Sequence, residues 1–250
     1  MESKRLKMSD TQTFVLQEVI DELVNAEKSL MGPLMKLNYF GRLIKNQELI
    51  DYCSEEINGY RAGITSVPEY RRLPIKLKID LQIGFQTFPN KDLPFSMVPS
   101  PWREFMMNTS IKEGIAVIEN NVKDEGTKQG GPLLFPVAME VLPHLQESVR
   151  SLYRSYETVS AVGAYLEGNS NKLIQILSTV RDHLLALVMK IGEQFGYNII
   201  IHSFRQNQDA NNQIIHNYIN SITNTGDGNV VNTGDHASQT ANIGEDKTSV

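Results

Sequence analysis

The sequence predicts a predominantly helical α+β fold: a helical bundle with a small β-sheet inserted after the third helix, followed by an Asn/Gly-rich repeat tail. Three observations carry this. Apolar residues recur at helical spacing from Thr13 to Gly59 and again from Leu173 to Ile191. Between them, from Ile75 to Phe85, apolar and polar residues alternate strictly. Beyond Phe204, bulky apolar residues thin out and Asn, Gln and Gly take over.

Phe14, Leu16, Val19, Ile20, Leu23, Val24 and Leu30 mark a first amphipathic helix between Thr13 and Leu30. Gly32-Pro33 interrupts it, and Pro33 suits the first turn of a second helix with Leu34, Leu37, Phe40 and Ile44 on one face. Asn46 can cap a third, running through Leu49, Ile50, Cys53 and Ile57 to a stop at Gly59. The alternation from Ile75 predicts a half-buried strand, with partners expected around Phe95 to Val98 and Leu152 to Val159. Pro89, Pro94, Pro99 and Pro101 keep residues 89–101 out of any helix interior. Helical spacing returns at Ile111, Ile115, Val117, Ile118 and Val122, and after a Gly-rich loop at 126–132 a further helical stretch reaches about Tyr153. Asn169 or Ser170 can cap the last long helix, whose seam of Leu173, Leu177, Val180, Leu184, Leu187 and Ile191 is widened by Ile174, Leu185 and Val188. That width predicts core packing rather than an isolated coiled coil, and Gly196 ends the element.

These boundaries divide the chain into a flexible N-terminus (1–12), a domain (13–204) with strands inserted at about 75–100, a polar linker or short helix (205–222) and a tail (223–250). In the tail, Asn224-Thr-Gly226-Asp227 recurs as Asn232-Thr-Gly234-Asp235, with a looser echo at Asn242-Ile-Gly-Glu245. Three readings of it stand side by side: disorder, calcium binding through Asp227, Asn229 and Asp235, and self-assembly. In the last, Val230-Val231 between Asn-Thr-Gly-Asp turns stack as β-arches.

The junction between helices and strand, residues 54–74, concentrates Tyr60, Arg61, Tyr70, Arg71 and Arg72. Glu56, Tyr60, Glu69, Tyr70 and Arg71 form either a structural clamp, with Arg71 paired to Glu56 or Glu69, or a face for a ligand or partner.

With these residues in view, the body resembles the AbiTii family of bacterial proteins associated with abortive infection. The resemblance rests on Leu23-Val-Asn-Ala-Glu-Lys-Ser-Leu30, on Glu56-Ile-Asn-Gly-Tyr60 with Val67-Pro-Glu-Tyr-Arg71, and on Ile176-Leu-Ser-Thr-Val-Arg-Asp-His-Leu-Leu-Ala-Leu187. It implies a helical, defence-associated domain and supplies no catalytic residues.

The residues themselves point away from several chemistries. No Gly-x-Ser-x-Gly elbow and no phosphate-binding Gly-x-x-x-x-Gly-Lys-Ser/Thr occurs. None of His144, His183, His202, His216 or His236 follows an arginine by four to six residues. His144 with Glu147, and Arg181-Asp182-His183, read as solvated helix faces, and Cys53 as a buried inert thiol. We therefore expect no catalytic residues, no metal and no cofactor. The formal charge of −5 is uneven: residues 206–250 hold five acids against Lys247, a balance of −4, which leaves −1 for residues 1–205. A near-neutral body does not indicate nucleic-acid binding. No run approaches the roughly 20 apolar residues of a membrane span, and a single cysteine fits a reducing cytoplasm.

The expectation is a cytoplasmic, non-enzymatic sensing or adaptor component of anti-phage defence. It would be a homo-oligomer through Asn224, Gly226, Asp227, Val230, Val231, Asn232, Gly234 and Asp235, with a defence-system partner protein. Two alternatives stand beside it: a toxin enzyme acting on nucleic acid or nucleotides without a recognisable motif, and an antitoxin-like module binding a partner helix along the Leu173–Ile191 seam.

Overall fold

A computed structural model describes residues 12–61, 67–123 and 130–223. The tail repeats and the Gly-rich loop at 124–129 lie outside the described residues. The chain opens on a three-residue strand, β1 (Thr13–Val15), followed by α1 (Leu16–Leu23), α2 (Met31–Ile44) and α3 (Gln47–Asn58). The expected first helix is thus shorter at both ends. Phe14 is drawn into a strand and stacks on Phe40 at 4.6 Å, while the Asn25 side chain accepts the Glu27 amide in a turn that competes with helix. The other two early helices fall where the sequence places them. Leu34, Leu37, Phe40 and Ile44 are all buried, Asn46 Oδ1 accepts Leu49 N at 2.8 Å, and Gly59 ends α3 at φ 90°.

The alternating stretch forms β2 (Ile75–Ile83), burying Leu77, Ile79 and Leu81. It turns through Gly84 (φ 57°) and Phe85 into β3 (Gln86–Asp92), with Ile83 facing Gln86. Phe85 therefore sits on a turn, fully exposed, rather than in the strand. The partners differ from those expected. Phe95–Met97 is a 3₁₀ turn flanked by Pro94 and Pro99, and residues 153–158 are irregular. The second partner of β2 begins only at Val159, as β5 (Val159–Asn169), which also pairs with β4 (Pro132–Pro136) in a four-stranded antiparallel sheet of order β3-β2-β5-β4. The sheet is therefore assembled from two separate parts of the chain. Its outer strands carry Pro89 on one side and Pro132 and Pro136 on the other.

After the short α4 (Trp102–Met107) come α5 (Ile115–Lys123), α6 (Leu142–Leu152), α7 (Asn171–Phe195), α8 (Ile201–Gln206) and α9 (Gln208–Thr223). Leu145 and Val149 of α6 cover one sheet face and close a smaller core with Leu77, Ile79, Leu81 and Leu166. The main core lies among α1, α2, α3, α5 and α7, and Ile75 and Phe135 touch both. In α7, Leu173, Val180, Leu184, Leu187 and Ile191 face that core. β6 (Asn198–Ile200) pairs antiparallel with β1 and ties the start of the body to its end. Ile215, Ile219 and Ile222 of α9 belong to the main core, so the folded body runs on through α9 past residue 204.

Candidate functional site

The junction that stands out in the sequence becomes a buried polar centre. Glu56 lies on the last turn of α3, facing inward, because its neighbours at helical spacing, Leu49, Tyr52 and Cys53, share that face. The chain returns from Pro68 through a 3₁₀ turn at Glu69–Arg71, which aims Arg71 back at α3. Arg71 Nη2 lies 2.6 Å from Glu56 Oε2, with both side chains fully buried. Tyr60 OH and Tyr70 OH both donate to Glu56 Oε1, at 2.6 and 2.5 Å. Arg71 Nη1 donates to the carbonyls of Ile111 (3.1 Å) and Glu113 (2.8 Å), and its guanidinium lies 4.8 Å from the Tyr60 ring centroid.

Backbone contacts tighten the same place. Tyr60 N donates to Lys112 O, Leu73 N to Thr109 O, and Ile111 N to Arg71 O. Gly59 and Gly114 make this approach possible: a Cβ on Gly114 would stand 2.2 Å from Ile57 O, and one on Gly59 would stand 2.6 Å from Lys112 O. Three segments separated in sequence, 56–60, 69–73 and 109–114, are thereby knotted together.

The electrostatics suit a permanent pair. Burial, then the Glu56 charge, pushes the Tyr60 and Tyr70 phenols well above their usual range, so both stay protonated and donate. Burial works against the Arg71 charge, but Glu56 and the two tyrosines outweigh it and raise the guanidinium further. Glu56 thus accepts from three donors in the interior, an arrangement that holds structure together. It offers no free carboxylate edge to a substrate.

Of the residues singled out in the sequence, Glu56, Tyr60, Tyr70 and Arg71 come together. Glu69 does not: it pairs with Arg72 at 2.8 Å on the exposed side of the turn. Two members escaped sequence reasoning. The Tyr52 hydroxyl is buried beside Tyr70 and Glu56 without an aligned hydrogen-bond partner. The His183 ring meets Tyr70 edge-on at 5.2 Å with Nδ1 buried and unpartnered, and burial lowers its pKa against the pull of Glu56 and Asp182. The spacing of Tyr52 one turn before Glu56 was the signal available for the first. For His183 there was none, because Arg181-Asp182-His183 looks like a solvated face. Only Asp182 is exposed; Arg181 turns under α1 and donates to the carbonyls of Leu23 (2.9 Å), Asn25 (3.0 Å) and Lys28 (2.7 Å).

Elsewhere, a cleft of about 470 Å³ opens at the end of the sheet among Lys76, Gly131, Glu167 and Asn169. Among the described residues, no group of three or more His, Cys, Asp or Glu is placed to hold a metal, and no helix is long and apolar enough to cross a membrane.

The fold and its centre define a mixed α/β domain, mostly helical, in which a helical core and a small sheet meet at a buried arginine–glutamate–tyrosine knot. The AbiTii family model matches residues 15–217, most of the chain, and the chain belongs to that family, which is associated with abortive infection. No curated protein and no solved structure matches it significantly.

Proposed function

We propose that the chain is a non-enzymatic sensing or adaptor component of a cytoplasmic abortive-infection system, whose body engages a partner protein and whose repeats at 224–235 drive self-assembly. The observation that carries the first half is the inward turn of the polar centre: Glu56 and Arg71 satisfy each other and two tyrosines. Such a centre suits holding and transmitting a conformation. The exposed Glu69–Arg72 pair on the same turn is where a partner would sense it. The family's association with abortive infection supplies the setting. The second half rests on the eight-residue recurrence of Asn-Thr-Gly-Asp around Val230 and Val231.

The test compares the full chain with one ending at Thr223, by light scattering and by survival of phage-challenged cells. A larger mass and protection for the full chain alone are expected; equal masses would refute repeat-driven assembly. Replacing Glu69 and Arg72 together by alanine is expected to abolish protection without lowering the melting temperature, and unchanged protection would remove that turn as the partner's contact.

A further inference from the structure

Where α7, β6, α8 and α9 meet, a cleft of about 200 Å³ opens to the surface. Its floor is aromatic: Phe195, the last residue of α7, and Phe204 of α8 lie edge to face with ring centroids 4.8 Å apart, and Phe195 is only half-buried. Its walls are polar but uncharged. Asn198 at the start of β6, Ser203 on α8, and Asn207 and Asn211 line the opening, and among the described residues no charged side chain does so. The local sequence fixes the last two. Asn207 stands at the N-cap position of α9, its carbonyl accepts Asn211 N at 3.0 Å, and Asn211 Nδ2 donates to the Phe204 carbonyl at 2.7 Å. Asn211 is 5% exposed, yet its Oδ1 receives no donor from the described residues. The side chains of Asn198, Ser203 and Asn207 make no hydrogen bond with the described residues either.

Convergent amides over an aromatic floor suit a flat ring that carries its own donors and acceptors. A side-chain amide presents a donor beside an acceptor, so it matches the edge of adenine in two bonds, while the face of the base gains by stacking on an aromatic ring. An acceptor left without a donor in the interior is costly, and a ligand N–H relieves that cost at Asn211. We infer that the cleft binds an uncharged purine nucleoside of the adenosine type, with the base against Phe195 and its edge read by Asn207 and Asn211. Asn198 and Ser203 remain for the ribose hydroxyls. The size agrees, since the cleft falls below the roughly 300–1,000 Å³ of sites for drug-sized ligands. Charge decides against a nucleotide, because no Lys or Arg lines the cleft to meet a phosphate. A nucleoside seated there joins the end of α7 to the first turn of α9. This goes beyond the proposed adaptor role by naming a small molecule that it would sense, and it rests on neither the repeats nor the Glu69–Arg72 turn.

The experiment is isothermal titration calorimetry of the full-length chain with adenosine, inosine and adenosine 5′-monophosphate. Adenosine is expected to give a saturable heat and to raise the melting temperature of the chain. Inosine, in which an acceptor replaces the 6-amino donor, should bind several-fold more weakly, and the monophosphate no more tightly than adenosine. Two variants address the wall. Asn207→Ser keeps a residue suited to the N-cap while removing the amide, and Asn198→Ala trims an exposed strand end. Each should weaken adenosine about tenfold, with the melting temperature of the unliganded chain unchanged. The site is overturned if adenosine does not saturate, if inosine or the monophosphate binds more tightly than adenosine, or if both variants bind adenosine as the parent chain does. Light scattering reports on the repeats alone, so failure of this site and failure of repeat-driven assembly are read separately.

Discussion

At the scale of single residues, the centre is an all-or-nothing arrangement. Two charges buried together gain little over apolar side chains of similar volume, but either one left alone is costly. Glu56→Ala, which strands Arg71 in the interior, is expected to cost about 3–5 kcal/mol. In a domain of this size that lowers the melting temperature by roughly 10 °C. The double change Glu56→Met with Arg71→Met is expected to restore most of the loss; equal melting of the single and double variants would show that the pair is not the cause. His183 adds a pH dependence. Its pKa is lowered in the fold from the usual 6.5, so the unfolded chain takes up the proton first. Its contribution to stability is full above about pH 6.5 and declines as the pH falls toward the depressed value. Urea midpoints measured from pH 7.5 to 5 should fall less steeply for His183→Gln than for the parent chain. The sequence made the Glu56–Arg71 pairing available as one of two options, because one turn of helix and one 3₁₀ turn carry all its side chains. It could not show that Ile111, Glu113 and His183 come to the same place, since those contacts cross at least 40 residues.

At the scale of elements, capping and backbone approach decide what is rigid. The two glycines where α3 meets residues 112–114 are not equivalent to the one that ends α7. Gly196→Ala meets nothing within 4 Å and is expected to cost about 1–3 kcal/mol for its positive-φ, extended backbone alone. Gly114→Ala drives a methyl into the Ile57 carbonyl, so its loss in urea should be clearly the larger; the reverse order would disprove the backbone knot. Arg181 and Arg205 act as distant caps, donating to the last carbonyls of α1 and α2 from more than 150 residues away. Helix faces and the period of β2 were legible because they are local. The partners of β2 were not, since nothing local in Val159–Asn169 states its register, and the prolines around Phe95 replace a ladder with a 3₁₀ turn. Prolines on both outer strands also blunt the sheet's open edges. Edge-to-edge pairing of bodies is thereby disfavoured.

At the scale of the whole molecule, the body is larger than its hydrophobic pattern suggests. The stretch from Arg205 to Ile222 reads as a polar linker or short helix, yet Ile215, Ile219 and Ile222 each fill part of the main core. Ending the chain at Arg205 should uncover those contacts, at about 2 kcal/mol for each isoleucine. That truncation should melt more than 10 °C below a chain ending at Thr223, and coincident melts would contradict the packing of α9. The ribbon of β1 and β6 has a mechanical meaning as well. Thr13 faces Ile200, so the chain enters the body and passes on into α8 at the same end of an antiparallel pair. A load applied directly between Gln12 and Ile201 would therefore open the ribbon one pair at a time, like a zipper.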